Sequence, residues 1–228
     1  MINSTKNTAR LAGFLYLLLA ITAAFGIMYV SSQTFVKGDA IATANNILSN
    51  EFLFRAGILG HLTSQVLFIF LVMLLYRLFK QVDEHQAKLM VALVLVQIPI
   101  VFLIETFNLT ALMLLKGEIL ASIELKQAQE WSMIFLRMHD YGIWLLQFFY
   151  GLWLFPFGYL SFKSGFIPKI FGIMLLFAGV SYMIDSSLVL LFPEFRNAFS
   201  PINTIITAVA EVAMVFWLLI KGVNTTNE

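Results

Sequence analysis

Six apolar runs, each of about twenty residues or more, constrain this chain more than anything else in it. The first, Leu11–Val30, has no charged residue. A helix rises about 1.5 Å per residue, so about 20 such residues cross the ~30 Å hydrocarbon core of a bilayer. The others are Phe52–Phe79, Ala87–Leu115, Trp131–Phe162, Pro168–Phe192 and Pro201–Ile220. In lipid a backbone must satisfy its own hydrogen bonds, which makes such runs helices. The predicted fold is all-α: one membrane domain over 1–228, a bundle of six transmembrane helices. Composition agrees. Only 12% of the 228 residues are charged, against roughly 25% in soluble domains, too few to cover a water-soluble fold.

Lys6 and Arg10 precede the first run as in a signal peptide. The run is longer than the usual apolar region of about 7–15 residues, so a retained first helix is expected. Ser31–Asn50 is small and polar, and Asp39 can cap a short interfacial helix carrying Ile41, Ala44, Ile47 and Leu48. The alternative for that segment is a loop. Pro99 should kink the third span, and Gly117 should stop it. Lys80–Gln86 reads as a solvated link. Lys163, Gly165 and Pro168 form a basic turn. Pro193 should end the fifth span, and Ser200-Pro201 should open the sixth. The tail after Lys221 is polar.

Orientation follows from the basic residues. With the N-terminus inside, Lys6, Arg10, Arg77, Lys80, Lys88, Lys163, Lys169 and Lys221 lie on the cytoplasmic side. Lys37, Arg55, Lys116, Lys126, Arg137 and Arg196 lie on the other. Both termini are therefore expected in the cytoplasm. There is no cysteine, which removes disulfides and thiolate chemistry. The basic residues are scattered, so nucleic acid is excluded as a partner. The expected partners are membrane lipids and a small-molecule or ion ligand.

Function is argued from ionisable groups inside the spans. Glu105, Asp140, Asp185 and Glu211 each cost about 2.5–3.5 kcal/mol at a span centre. They must be paired, protonated or facing water. Counted from the outer helix ends, these four and His61 fall roughly 10–15 Å deep, and Arg55 and Arg137 roughly 5–10 Å. Helical spacing aligns Arg137, Asp140, Trp144, Gln147 and Gly151 on one face, and Gln97, Glu105 and Asn108 on another. With His139 beside Asp140, these residues predict a polar cavity in the outer half. It would be lined by Arg55, His61, Glu105, Asn108, Arg137, His139, Asp140, Asp185 and Glu211, and would bind or move a small solute or a proton.

The competing reading makes these groups structural. Arg137 and Asp140 would neutralise each other at i, i+3. Arg55 would snorkel to the interface. Asp185 and Glu211 would bond to neighbouring helices. A hydrolase built on an Asp–His pair with Ser64, Ser132 or Ser186 is a further alternative, although no GxSxG motif is present. His61, His139, Asp140, Asp185 and Glu105 are metal-ligand types. No two of them share a spacing such as HExxH, so neither a metal nor a cofactor is predicted.

Three stretches also carry a resemblance: Gly151–Leu175 (GLWLFPFGYLSFKSGFIPKIFGIML), Thr8–Ala23 (TARLAGFLYLLLAITA) and Lys88–Val96 (KLMVALVLV). Together they resemble a bacterial membrane family catalogued as domain of unknown function 4386. The resemblance implies six spans in a bacterial inner membrane. It carries no activity and no site residues.

Overall fold

The computed structural model describes residues 2–223. From 224 onward, the polar tail read from the sequence lies outside the described residues. Every regular element in the described residues is helical. Six helical stretches are long and apolar enough to cross a membrane: Thr5–Thr34, Glu51–Phe79, Glu84–Leu115, Leu125–Lys163, Lys169–Leu191 and Pro193–Lys221. The chain is an all-α multi-pass membrane protein.

The helices overshoot the apolar runs. Helix α1 (Ile2–Ala24) starts before Leu11 and continues through a π-helical stretch, Phe25–Val30, into a last turn α2 (Ser31–Thr34). The segment that follows contains a helix, α3 (Ala40–Ser49), capped by Asp39, whose side chain accepts a hydrogen bond from the Ala42 N–H at 2.8 Å. Ala44 and Ile47 are buried, whereas Ile41 and Leu48 are exposed. Helix α4 is Glu51–Phe79 and helix α5 is Glu84–Leu115. Asp83 caps α5 by accepting from the Gln86 N–H at 3.2 Å, so the link does more than solvate. Helix α5 runs through Pro99 and ends at Leu115. Gly117 follows at φ +68°, and the Glu118 N–H closes on the Met113 carbonyl, the left-handed stop that glycine permits.

The fourth span is interrupted. Helix α6 covers Leu125–Leu152, Trp153 is a turn residue, and α7 covers Leu154–Lys163. Pro156 explains the break, because a proline clashes with the carbonyl four residues earlier, here Leu152. Helix α8 is Lys169–Leu191. Helix α9 (Pro193–Phe216) begins at Pro193 and passes through Pro201. The start expected at Ser200-Pro201 is thus corrected. Pro193 already meets the preference for proline in the first turn, and Arg196 is a helical residue.

The described chain divides into two compact units. The first comprises Met1–Leu18, Leu67–Ile98 and Trp144–Glu228, and the second Leu19–Val66 and Pro99–Ile143. In the first, Trp153 packs edge-on against Phe68 and Tyr16 and stacks on Phe157. Glycines bring backbones together in the same unit. A Cβ on Gly172 would lie 2.6 Å from the Gly158 carbonyl, and one on Gly151 would lie 2.6 Å from that of Gly179. Small residues allow this close approach where no hydrophobic force drives helices together in lipid. The second unit has its own core of Val30, Ala44, Ile47, Phe54, Ala111 and Leu112, with Leu115 and Leu136.

Candidate functional site

Three helices each bring one ionisable side chain of the second unit to a common point. Glu105 on α5 is 4% exposed, His61 on α4 is 1% and His139 on α6 is 9%. Glu105 Oε1 lies 2.5 Å from His61 Nδ1 and 3.1 Å from His139 Nε2. Its other oxygen accepts from Asn108 Nδ2 at 3.0 Å. Asn108 is one turn on along α5, which orients the carboxylate. Beyond His139, Nδ1 lies 3.5 Å from Asp140 Oδ1. His61 Nε2 is buried without a hydrogen-bond partner.

Local packing fixes these positions. Gly26 and Gly57 let the π-helical stretch approach α4 closely: a Cβ on Gly26 would lie 2.5 Å from the Gly57 carbonyl and 3.2 Å from His61 Cβ. Gly142 does the same for α5 and α6, since a Cβ there would meet Ile104 at 2.9 Å. Ile104 and Gly142 flank Glu105 and Asp140 in sequence, so the tight crossing sits at the site itself.

A cavity of about 340 Å³ adjoins this group. Glu105, Asn108, His139 and Asp140 supply its charged and amide side chains. Ser31, Ser32, Thr34 and Thr43 bring hydroxyl residues to it, and Gly26, Ile27, Val30 and Leu136 bring apolar surface. The size is at the lower end of ordinary ligand pockets, about 300–1,000 Å³, and an apolar wall with a few convergent polar groups is their usual make-up. The π-helical stretch lines it, and π-bulges recur at functional sites. His61 lies behind Glu105, outside the lining.

Other residues of the predicted cavity have partners elsewhere. Glu211, in the first unit, accepts from Tyr16 Oη at 2.6 Å and Tyr182 Oη at 3.0 Å. Asp185, also in the first unit, is fully buried and 3.5 Å from Arg196, whose guanidinium lies 3.8 Å over the Trp144 ring. Neither carboxylate lines the cavity; Glu211 is hydrogen-bonded to two other helices, whereas both oxygens of Asp185 are buried with no hydrogen bond and have, among the described residues, only the Arg196 ion pair. Arg55 Nε donates to Glu51 Oε1 at 2.7 Å, and Lys116 reaches the same oxygen at 3.0 Å and Glu118 at 2.9 Å. Glu118, then Glu51, holds the Lys116 ammonium above its usual pKa. Arg137 is exposed and makes no ion pair among the described residues, so the expected pairing with Asp140 does not form.

The chain belongs to the family described as Domain of unknown function (DUF4386), which matches residues 11–222. No curated protein and no solved structure matches the chain. The DUF4386 match takes in the first span from Leu11 on, the other five whole, and every residue of the His61–Glu105–His139 group, and its description assigns them no chemistry.

The three serines of the hydrolase alternative have backbone partners. Ser64 Oγ donates to the His61 carbonyl at 2.6 Å, Ser132 Oγ to the carbonyls of Ala128 and Ala111, and Ser186 Oγ to that of Leu145. None is hydrogen-bonded to an imidazole, as an activated hydroxyl requires. Sequence reasoning missed Arg196, Tyr16 and the cavity hydroxyls of Ser31, Ser32, Thr34 and Thr43. A readable signal for Tyr16 was its phenol inside an apolar span, since a buried tyrosine hydroxyl needs a partner.

Proposed function

We propose that this multi-pass protein binds a small polar solute in the cavity of the second unit, with Glu105, His139 and Asp140 recognising it or exchanging a proton with it. The observation that carries the reading is the position of Glu105 and His139. They are buried, hydrogen-bonded to each other and still part of a cavity wall. Ionisable groups within a membrane span mark solute or proton paths more often than inert packing. A carboxylate hydrogen-bonded to an imidazole can pass a proton along that bond with little motion. Transport of the solute follows if the cavity opens alternately to both faces. We further propose that both termini lie in the cytoplasm, which the distribution of Lys and Arg supports, and that the membrane is a bacterial plasma membrane, which the resemblance of the sequence implies.

Cysteine accessibility tests this directly, because the chain has no cysteine of its own. Asn108→Cys would be treated in proteoliposomes with a charged, membrane-impermeant thiosulfonate. Leu103→Cys, on the same helix at a residue 62% exposed on the apolar surface, is the comparison. Rapid modification at 108 and slow modification at 103 is the expected result. An Asn108→Cys protein that is folded and unreactive from both faces would overturn the reading.

A further inference from the structure

We propose that His61, Glu105 and His139 hold a divalent first-row transition-metal ion, zinc or a close neighbour, with one coordination position open to the cavity. The inference rests on the cavity described above as the route by which the ion and its fourth ligand enter.

The donor set carries the argument. Nitrogen of His61, oxygen of Glu105 and nitrogen of His139 all lie within 4.8 Å of one another. Metal–ligand bonds of about 2.0–2.1 Å place tetrahedral donors about 3.3 Å apart. The observed separations of 2.5 and 3.1 Å reach that spacing with movements of under about 1 Å. Two imidazoles and one carboxylate suit zinc, iron and their neighbours; calcium and magnesium prefer an all-oxygen shell. Three protein donors plus a free position is the pattern of reactive rather than structural zinc sites.

Two further features point the same way. His139 turns Nε2 to the group and Nδ1 to Asp140, the carboxylate–histidine arrangement that orients metal-binding imidazoles. Asn108 holds the other oxygen of Glu105, leaving Oε1 to face both rings. Glu105, His139 and Asp140 line the cavity, so an ion here is accessible to a solute or water. The bound ion would fix three helices at one point and present a Lewis acid to whatever occupies the cavity.

The test is a cobalt(II) and zinc titration of the purified, chelator-stripped full chain in detergent micelles. The expected result is one ion per chain, with the visible absorption bands of low-symmetry cobalt(II). His61→Ala and His139→Ala should abolish these bands, whereas His85→Ala, at the one remaining histidine, should leave them unchanged. Asp140→Asn should weaken uptake about 10–100-fold, as loss of a carboxylate behind a ligating histidine does. Where an alanine variant fails to fold, the wild-type spectrum decides alone. No bands and no stoichiometric zinc would overturn the inference, as would uptake lost equally in His85→Ala. The outcome is separable from the cavity reading. A reactive Asn108→Cys with no metal uptake removes the metal alone, and an unreactive one with uptake removes the solute cavity and the open coordination position while leaving the three-donor site.

Discussion

His61 and Glu105 are 44 positions apart in the chain and meet at 2.5 Å between Nδ1 and Oε1. Both side chains are almost fully buried. Helix α6 adds His139 to the same oxygen. A buried charged group without partners is too costly to survive in a span, so the Glu105 carboxylate requires its imidazole neighbours. Glu105→Gln keeps the shape and removes the charge, leaving two imidazoles facing an amide. We predict a loss of about 1–3 kcal/mol, measured by reversible unfolding in mixed detergent micelles.

Glu211 should behave differently, because its partners are phenols. Tyr16→Phe and Tyr182→Phe each remove one donor to the same carboxylate. Each is expected to cost about 1–3 kcal/mol. The double variant should not equal the sum, since both act on one acceptor. A double-mutant cycle read by unfolding checks this.

The Asp185–Arg196 pair predicts an asymmetry. Arg196→Met strands a fully buried carboxylate, a change on the order of 3 kcal/mol. Asp185→Asn leaves an arginine that is 15% exposed and still stacked on Trp144, so its cost should be clearly smaller. Equal losses in the two variants, measured by thermal unfolding, would contradict this order.

Close helix contact predicts intolerance at Gly172. An added Cβ would meet the Gly158 carbonyl and the Phe162 N–H, at 2.6 and 2.7 Å. Backbone cannot move aside cheaply, so Gly172→Ala should cost about 1–3 kcal/mol by overpacking. Gly165→Ala adds no such contact and fails for another reason, its φ of +74°.

Acid should act on Asp83. The Gln86 N–H, and then Lys163 at 3.6 Å, hold its carboxyl below the usual range. A carboxyl lowered in the folded state contributes stability above its unfolded value, about 3.9, and loses it as pH falls through the folded value. The advantage of the wild type over Asp83→Ala should be full near pH 7 and shrink below about pH 4. Melting temperatures across that range would show it.

Much of the fold was legible because apolar length alone specifies a membrane helix. Its ends were less so. The sixth helix begins at Pro193 rather than Pro201, because two prolines in succession each offer a starting signal. That choice placed Arg196 in a loop and hid the partner of Asp185. The polar residues of each span were visible in the sequence, but their grouping was not. Glu105 meets His61 and His139 across separations of 44 and 34 positions, where spacing within a helix says nothing. For the same reason the lack of an HExxH-type pair gave no information on a site assembled from three helices. The segment 31–50 reads as a short interfacial helix or a loop, and neither reading signals that it supplies the Thr34 and Thr43 side of the cavity.

An experimentally determined structure of the chain in lipid nanodiscs, resolving side chains of α4, α5 and α6, tests the central claim most directly. The account predicts both imidazoles within hydrogen-bonding or metal-bridging distance of the Glu105 carboxylate, beside a cavity that also reaches Asp140. Imidazoles turned toward lipid or toward unrelated partners, with Glu105 away from both, would contradict it.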